Sequence, residues 1–141
     1  MANKYFFGKN NFERSVFYLQ KIRINKHFPN FNVTLKNNRL VCNGYLNPIS
    51  ENESYHVRIN YKLNNEPQVW ILGSDEINKC AKHKYKDGSL CLFYPKEFKW
   101  KNSCNIHETI IPWIAEWIVC FKYWKKYGEW GALEAPHREN K

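Results

Sequence analysis

Hydrophobic positions near the start of the chain repeat at the spacing of an α-helix. The positions that share this spacing are Phe12, Val16, Leu19 and Ile22. Side chains three or four residues apart lie on one face of a helix, so we predict a helix over residues 11–26, with Asn10 or Asn11 as its N-terminal cap. Pro29 follows and ends this helix, because proline has no backbone amide to donate.

The pattern then changes to short runs that are typical of β-strands. The runs are rich in β-branched and aromatic residues and cover residues 33–35, 40–42, 55–61 and 69–72. Pairs of turn-forming residues separate them, namely Asn37-Asn38, Asn47-Pro48 and Asn64-Asn65. Short connections join strands that pair antiparallel, so the sequence predicts a four-stranded antiparallel meander.

A second apolar stripe with helical spacing lies near the end of the chain. Its members are Ile110, Ile111, Ile114, Trp117, Ile118, Phe121 and Trp124. We predict a helix that begins near Thr109 and ends at Gly128. Pro112 then falls in the first turn, where backbone amides have no partner within the helix. Trp130 lies beyond the predicted end, in what reads as an extended tail where a partner protein could contact it.

Together these elements predict an α+β fold in one domain, residues 1–141. The order is an N-terminal helix, the four-stranded meander, a loop and a C-terminal helix. Residues 95–105 have no regular pattern, and we expect Phe98 and Trp100 to fold back onto the core. Aromatic residues make up 17% of the chain, so that core should be rich in rings.

Charge and cysteine content narrow the setting in which the protein works. The formal net charge of +9 favours acidic partners, but the lysines are spread along the whole chain, which argues against a dedicated nucleic-acid binder. Five cysteines are an odd number, and no apolar leader precedes the first residues, so we expect a reduced, cytoplasmic location. No apolar run approaches the roughly 20 residues that a membrane span needs, so no membrane partner is expected.

The candidate chemistry lies in residues 83–92, which read HKYKDGSLCL. Cys91 would be a nucleophile if it were reachable and partly thiolate, and the lysines on both sides of it favour the thiolate. By composition alone, the other interpretation is that Cys91 is a small buried hydrophobic residue between Leu90 and Leu92. The lysines would then form a solvated face.

Residues 83–92 resemble the active-site segment of ubiquitin-conjugating enzymes, in which His-Pro-Asn leads through a loop into Gly-x-Ile/Leu-Cys-Leu. Gly88, Leu90, Cys91 and Leu92 stand at the same offsets, although Lys84-Tyr85 replace Pro-Asn and the distance from the histidine is shorter. A closer resemblance is to a bacterial offshoot with three motifs. They are His-x-Tyr-x-Asp-Gly-x-Leu-Cys-Leu, a Pro-Trp-x-x-Glu-Trp helix and an ending like Glu-Ala-Pro-His, found here at 83–92, 112–117 and 134–137.

That offshoot is the conjugating-enzyme-like protein of type II antiphage signalling operons (CBASS), which occurs beside a bacterial cGAS-like nucleotidyltransferase. The resemblance implies a ubiquitin-conjugating fold and a thioester between Cys91 and the C-terminal tail of that nucleotidyltransferase. An amine, water or another thiol would then take the acyl group. The chain has no glycine-rich phosphate loop, so we expect no nucleotide cofactor and no ATP-dependent activation by this chain. A separate activating enzyme is one candidate partner, and the source of activation energy stays open.

The resemblance also implies roles for His83 and Tyr85 beside Cys91. In the family the histidine mainly holds the active-site strand through backbone bonds, and a general base or an oxyanion-side donor is the alternative role. Tyr85 takes the place of the oxyanion-side asparagine, because its hydroxyl can also donate a hydrogen bond. Other donors within reach by sequence are Asn78, Asn102 and Asn105. Asp87 is expected to form a turn with Gly88, or else to help deprotonate an incoming amine.

A competing hypothesis is a zinc-stabilised, non-catalytic interaction module. Its ligands would be Cys80, His83, Cys104 and His107, two Cys-x-x-His pairs at a spacing that a tetrahedral structural zinc allows. This reading removes His83 from catalysis and leaves residues 88–92 unexplained. A Cys91–His83 hydrolase is a third option, but no protease motif surrounds Cys91.

Overall fold

The computed structural model describes residues 9–131. Its elements, in chain order, are α1 (Lys9–His27), β1 (Asn32–Lys36), β2 (Arg39–Leu46), β3 (Tyr55–Lys62), β4 (Gln68–Leu72), α2 (Asp75–Lys79) and α3 (Ile110–Tyr127). The four strands form one antiparallel sheet in the order β1-β2-β3-β4. The predicted α+β order of helix, meander, loop and helix is therefore confirmed.

Three local features differ from the prediction. The apolar stripe predicted for α1 is not its buried face, because Phe12, Leu19 and Ile22 are exposed, whereas Phe17, Gln20 and Ile24 are buried. α1 begins at Lys9, so Asn10 and Asn11 lie inside its first turn rather than at its cap. The short helix α2 was not predicted, because five residues are too few to show a helical period. Its N-terminus is nevertheless capped, since the hydroxyl oxygen of Ser74 accepts a hydrogen bond from the backbone amide of Ile77 at 3.3 Å.

The turn predicted at Asn37-Asn38 is confirmed, and it sets the register between β1 and β2. Lys36 pairs with Arg39, which leaves Asn37 and Asn38 as a two-residue hairpin loop. Both have positive φ angles, 53° and 62°. Hairpins with two-residue loops need this conformation, and asparagine adopts it more readily than most residues do.

Residues on one face of the sheet pack with α1 and α3 into a buried core. The core members from the helices include Phe17, Ile24, Ile114, Trp117, Ile118 and Phe121, and those from the strands include Leu40, Cys42, Val57, Ile59, Tyr61, Val69 and Ile71. Trp100 is half-buried against this core, and Phe98 packs on Trp113 with ring centroids 5.1 Å apart. The expected return of residues 95–105 to the core is confirmed.

Gln20, on the buried side of α1, fastens the chain that leads into α3. Its Nε2 donates to the carbonyl oxygen of Cys104 at 2.6 Å, and its Oε1 accepts from the amide of Ile106 at 3.0 Å. A buried side-chain amide that satisfies both of its ends in this way costs little to bury. The start of α3 is therefore fixed relative to α1.

Candidate active site

Residues 84–90 form a tight hairpin that carries the candidate site. The amide of Tyr85 donates to the carbonyl oxygen of Ser89 at 2.8 Å, and the amide of Gly88 donates to the carbonyl oxygen of Tyr85 at 3.0 Å. The loop is residues 86–88, and Gly88 has a φ of 89°. Three-residue hairpin loops place their last residue in this left-handed region, where glycine has no steric cost.

Asp87 stabilises this hairpin and anchors it to the sheet. Its Oδ1 accepts hydrogen bonds from the hydroxyl of Ser89 at 2.6 Å and from the Ser89 amide at 2.9 Å, and these bonds hold the pKa of Asp87 below its usual value. Its carbonyl oxygen accepts from the indole nitrogen of Trp70 on β4 at 3.3 Å. The turn predicted for Asp87 and Gly88 is confirmed.

His83 contributes to the site through its main chain. Its carbonyl oxygen accepts a hydrogen bond from the amide of Cys91 at 2.9 Å and another from the indole nitrogen of Trp117 at 3.1 Å. Its φ of 56° is unusual for a residue with a side chain. The imidazole packs against Trp130, with ring centroids 4.1 Å apart, so Trp130 lies on the site rather than in an extended tail.

Cys91 is buried, with 4% of its surface exposed, so the prediction of a reachable thiol was wrong for this conformation. Its Sγ lies 3.8 Å from the carbonyl oxygen of Phe93, and the hydroxyl of Tyr85 is hydrogen-bonded to it. Burial and this bond to Cys91 raise the pKa of Tyr85 well above its usual value. The Tyr85 hydroxyl therefore stays protonated at neutral pH and remains a donor beside the sulfur.

A cleft of about 200 Å³ runs along this hairpin. We call it the Tyr85 cleft. The residues that line it are Glu66, Pro67, Gln68, Tyr85, Asp87, Ser89, Leu90, Leu92 and Phe93. Leu90 and Leu92, the chain neighbours of Cys91, line the cleft, whereas Cys91 itself does not. Tyr85 therefore separates the sulfur from the cleft, since it lines the cleft and interacts with Cys91.

The charged residues of the Tyr85 cleft are Glu66 and Asp87, and burial raises the pKa of Glu66. No lysine lines it. The lysines that flank Cys91 in the sequence therefore do not give this cleft a positive charge. Lys84, for example, donates from its Nζ to the carbonyl oxygen of Ile77 at 2.7 Å, at the end of α2.

Of the four oxyanion-side candidates, Tyr85 is the one that contacts Cys91. The side-chain oxygen of Asn102 accepts from the hydroxyl of Tyr61 at 2.8 Å and from the amide of Asn64 at 2.9 Å, so it closes the turn after β3. The oxygen of Asn105 accepts from the guanidinium of Arg23 at 2.7 Å. The third asparagine, Asn78, is exposed on α2.

The structure does not assemble the zinc site of the competing hypothesis. The four proposed ligands were Cys80, His83, Cys104 and His107. His83 packs against Trp130, whereas His107 stacks on His27 with ring centroids 4.4 Å apart. Within residues 9–131, no three His, Cys, Asp or Glu side chains are grouped so that they could hold a metal ion. Two Cys-x-x-His pairs alone cannot show whether the fold brings them together.

No helix in the part of the chain that the structure describes is both long enough and apolar enough to cross a membrane. The helix motif at residues 112–117 lies in α3 and includes Trp117, whereas the motif at 134–137 lies outside the described residues.

Comparison with known proteins identifies the family. A search of curated proteins finds no match. The family model for the type II CBASS E2 protein matches residues 20–138, which include the sheet, the hairpin, Cys91 and α3. Because this match covers most of the chain, the protein belongs to the family of type II CBASS E2 proteins, whose ubiquitin-conjugating-like α+β fold it has.

Proposed function

We propose that this protein is a cysteine-dependent conjugating enzyme of an antiphage operon. In this proposal Cys91 forms a thioester with the C-terminal carboxyl group of a partner protein, the cGAS-like nucleotidyltransferase of the same operon. Membership of the family supports an E2-like role beside CBASS components. The observation that carries the thioester is the placement of Cys91, whose sulfur is hydrogen-bonded to the hydroxyl of Tyr85, a residue that itself lines a cleft.

The loading step is an acyl exchange at the carbonyl carbon of the partner's last residue. The partner arrives activated as an acyl-adenylate or thioester made by a separate activating enzyme. The Cys91 thiol loses its proton to solvent, its sulfur forms the new bond to the carbonyl carbon, and the adenylate or the donor thiol leaves with the electron pair of the broken bond. Transfer then breaks the carbon–sulfur bond, and Cys91 leaves as a thiolate when an amine, water or another thiol attacks.

Tyr85 has the chemistry that this exchange needs. Each tetrahedral intermediate puts negative charge on the former carbonyl oxygen, and a neutral hydroxyl within reach can donate a hydrogen bond to it. The raised pKa of Tyr85 keeps this hydroxyl protonated. Removal of one such donor typically slows acyl transfer by about 10²–10³-fold. In this scheme His83 is a positioning residue, because its carbonyl oxygen holds the amide of Cys91.

In this proposal, loading also requires the side chain of Tyr85 to move. Cys91 is 4% exposed, so an incoming carbonyl cannot reach its sulfur in the conformation described. Tyr85, at 37% exposed, is the more accessible partner of the hydrogen-bonded pair. Rotation of Tyr85 away from the sulfur would open the thiol to the Tyr85 cleft, and the hydroxyl would return to the oxyanion after attack.

The proposal is tested by intact-mass analysis of the protein purified with the operon's nucleotidyltransferase and activating enzyme. Wild type should carry a partner adduct that a reducing thiol removes, and Cys91→Ala should carry none while remaining folded. Cys91→Ser should trap a more stable oxyester. Cys120→Ala is the matched control, because Cys120 is buried in α3 and should not affect the adduct.

Two results would contradict the proposal. An adduct that persists in Cys91→Ala and disappears in Cys80→Ala or Cys104→Ala would assign the chemistry to another thiol. The second concerns the partner's tail. Deletion of the partner's last few residues should prevent the adduct but leave noncovalent docking, so unchanged adduct formation after that deletion would indicate a disulfide or a lysine linkage instead.

A further inference from the structure

A second cavity, of about 270 Å³, adjoins the Tyr85 cleft. We call it the basic cavity. The residues that line it are Arg39, Asn60, Lys62, Asn65, Glu66 and Gln68. Glu66 and Gln68 also line the Tyr85 cleft. The two cavities therefore share a wall, and one extended ligand can occupy both.

The sheet register gathers cations beside this cavity. Lys36 on β1 pairs with Arg39 on β2, and Arg39 pairs in turn with Lys62 on β3. Directly paired residues on antiparallel strands share a face, so these three cations form a row, and like charges at such positions repel. Among residues 9–131, none of the three forms an ion pair with a carboxylate. An anionic ligand in the basic cavity would relieve this repulsion.

Polar groups in the basic cavity also fit a peptide backbone. The Oδ1 atom of Asn60 is buried, and it has no hydrogen-bond partner in the part of the chain that the structure describes. A buried acceptor without a partner costs free energy that a donor from a ligand would recover. A peptide offers both a backbone N–H for Asn60 and a carboxylate side chain for Arg39 and Lys62.

The two cavities differ in charge, and this difference favours one orientation of a charged peptide that occupies both. The Tyr85 cleft has two carboxylates, those of Glu66 and Asp87, and no lysine or arginine lines it. The basic cavity has Arg39 and Lys62 against the single carboxylate of Glu66. Glu66 lines both cavities, so its carboxylate lies between Asp87 on one side and the two cations on the other.

We propose that the basic cavity binds an acidic side chain in the same C-terminal tail whose last residue reaches Cys91. This inference rests on the proposed function, and it adds a specificity site to it. An acidic residue near the end of the tail would face Glu66 and Asp87 and be repelled. An acidic residue further from the end would meet Arg39 and Lys62, so the charges favour one position along the tail.

The sheet geometry gives that position. The amide of Leu90 donates to the carbonyl oxygen of Val69 on β4 at 2.8 Å, so the Cys91 segment lies one strand beyond β4. Arg39 lies two strands to the other side of β4, on β2. Three strand spacings amount to about 14 Å, which an extended peptide covers in about four or five residues. The acidic residue should therefore stand about four or five residues before the end of the tail.

The test uses a fluorescent peptide with the last ten residues of the operon's nucleotidyltransferase and the full-length Cys91→Ala protein, which cannot form the adduct. The double substitution Arg39→Gln and Lys62→Gln should weaken peptide binding roughly fivefold or more, as for one or two partly exposed ion pairs, and should remove most of its salt dependence. The matched control is Arg14→Gln with Lys26→Gln on α1, which changes the net charge equally and should leave binding within about twofold.

A charge exchange separates recognition from a general loss of structure. Replacing the acidic peptide residue with Lys should abolish the contribution of this site, and Arg39→Glu in the protein should restore part of it. Moving the acidic residue to the penultimate position of the peptide should weaken binding to wild-type cavity residues. Melting curves show whether each variant is folded, which is expected because Arg39 and Lys62 are exposed.

Three results would overturn the inference. One is a partner tail with no acidic residue in the expected region, and a second is equal peptide binding by the cavity variant and the α1 control. The third is a single-stranded oligonucleotide that binds through Arg39 and Lys62 while the peptide does not, which would make the cavity a nucleic-acid site. A failure of the proposed function would be seen in a different measurement, as the absence of a Cys91-dependent adduct in the wild-type protein.

Discussion

The amide of Cys91 donates a hydrogen bond to the carbonyl oxygen of His83, with 2.9 Å between nitrogen and oxygen. The indole nitrogen of Trp117 reaches the same oxygen at 3.1 Å, so a single buried carbonyl joins the candidate nucleophile, the start of the hairpin and α3. The position of the sulfur thus depends on the backbone of His83. The imidazole of His83 does not take part in these two hydrogen bonds and packs against Trp130.

This geometry predicts that His83→Asn keeps most of its adduct formation. Asparagine tolerates the positive φ of His83 and presents the same carbonyl oxygen. We expect a loss below about tenfold, against the roughly 10²–10⁴-fold loss that follows removal of a general base. The measurement is the rate of adduct formation by intact mass. A folded His83→Asn protein that has lost a hundredfold or more would show that the imidazole takes part.

His83→Ala serves as the control for backbone strain. It removes the same ring but places a residue that disfavours the left-handed region at a φ of 56°. We expect it to be less stable than His83→Asn by about 1 kcal/mol, measured by urea unfolding.

Tyr85 is predicted to shield the thiol with its ring and to assist the reaction with its hydroxyl. Tyr85→Ala should raise the rate at which a thiol reagent modifies Cys91, whereas Tyr85→Phe should leave that rate nearly unchanged. Tyr85→Phe should slow adduct formation by about 10²-fold, because it removes the donor next to the sulfur. Modification is followed by mass in a protein with the other four cysteines replaced. Equal adduct rates for Tyr85→Phe and wild type would exclude the hydroxyl from the reaction.

Asp87 gives a prediction on pH. The pKa of Asp87 is lowered in the folded protein by its bonds to Ser89, so the ionised carboxylate stabilises the fold. This contribution is complete above the unfolded pKa of about 3.9 and is lost as the pH falls through the lower folded value. Asp87→Asn should reduce the free energy of unfolding by less than about 1 kcal/mol at pH 7, since the site is exposed to solvent. Urea unfolding at pH 7, 5 and 3 should show this difference shrinking at pH 3, and a difference independent of pH would contradict the assignment.

Metal removal gives a fourth prediction. Because His83 and His107 pack against different aromatic residues, we expect a chelator to leave the melting temperature unchanged and elemental analysis to find no stoichiometric zinc. One zinc per chain, with a lower melting temperature after chelation, would restore the interaction-module hypothesis.

Periodicity predicted α3 and the four strands because each of them presents apolar positions to the core. It predicted the extent of α1 but the wrong face, because Phe12, Leu19 and Ile22 are exposed there and Phe17 and Ile24 are buried instead. Residue patterns report such faces directly, as with Ile114 and Trp117 on α3. The helix α2 depends instead on the Ser74 cap and is too short to show a period. The cap predicted at Asn10 or Asn11 failed because either residue also fits within a first helical turn.

The candidate site was predictable as a motif but not as a geometry. The segment around Cys91 resembled a known active site, yet burial of the sulfur depends on where the hairpin packs. That packing depends on the bond between Trp70 and Asp87, which are 17 positions apart and on different elements. Likewise, Lys36, Arg39 and Lys62 look dispersed in the sequence, and only the strand register places them in one row.

The two hydrogen bonds of Gln20 bear on how the protein folds. They join residues 84 and 86 positions apart, whereas every strand of the meander pairs with its neighbour in the chain. Contacts that close long loops carry a larger entropic cost than local ones and form more slowly. The sheet can therefore form early, and α3 docks on α1 late. Since Trp117 contacts His83 only when α3 has docked, a chain still being synthesised has the segment around Cys91 incompletely assembled until α3 has been made.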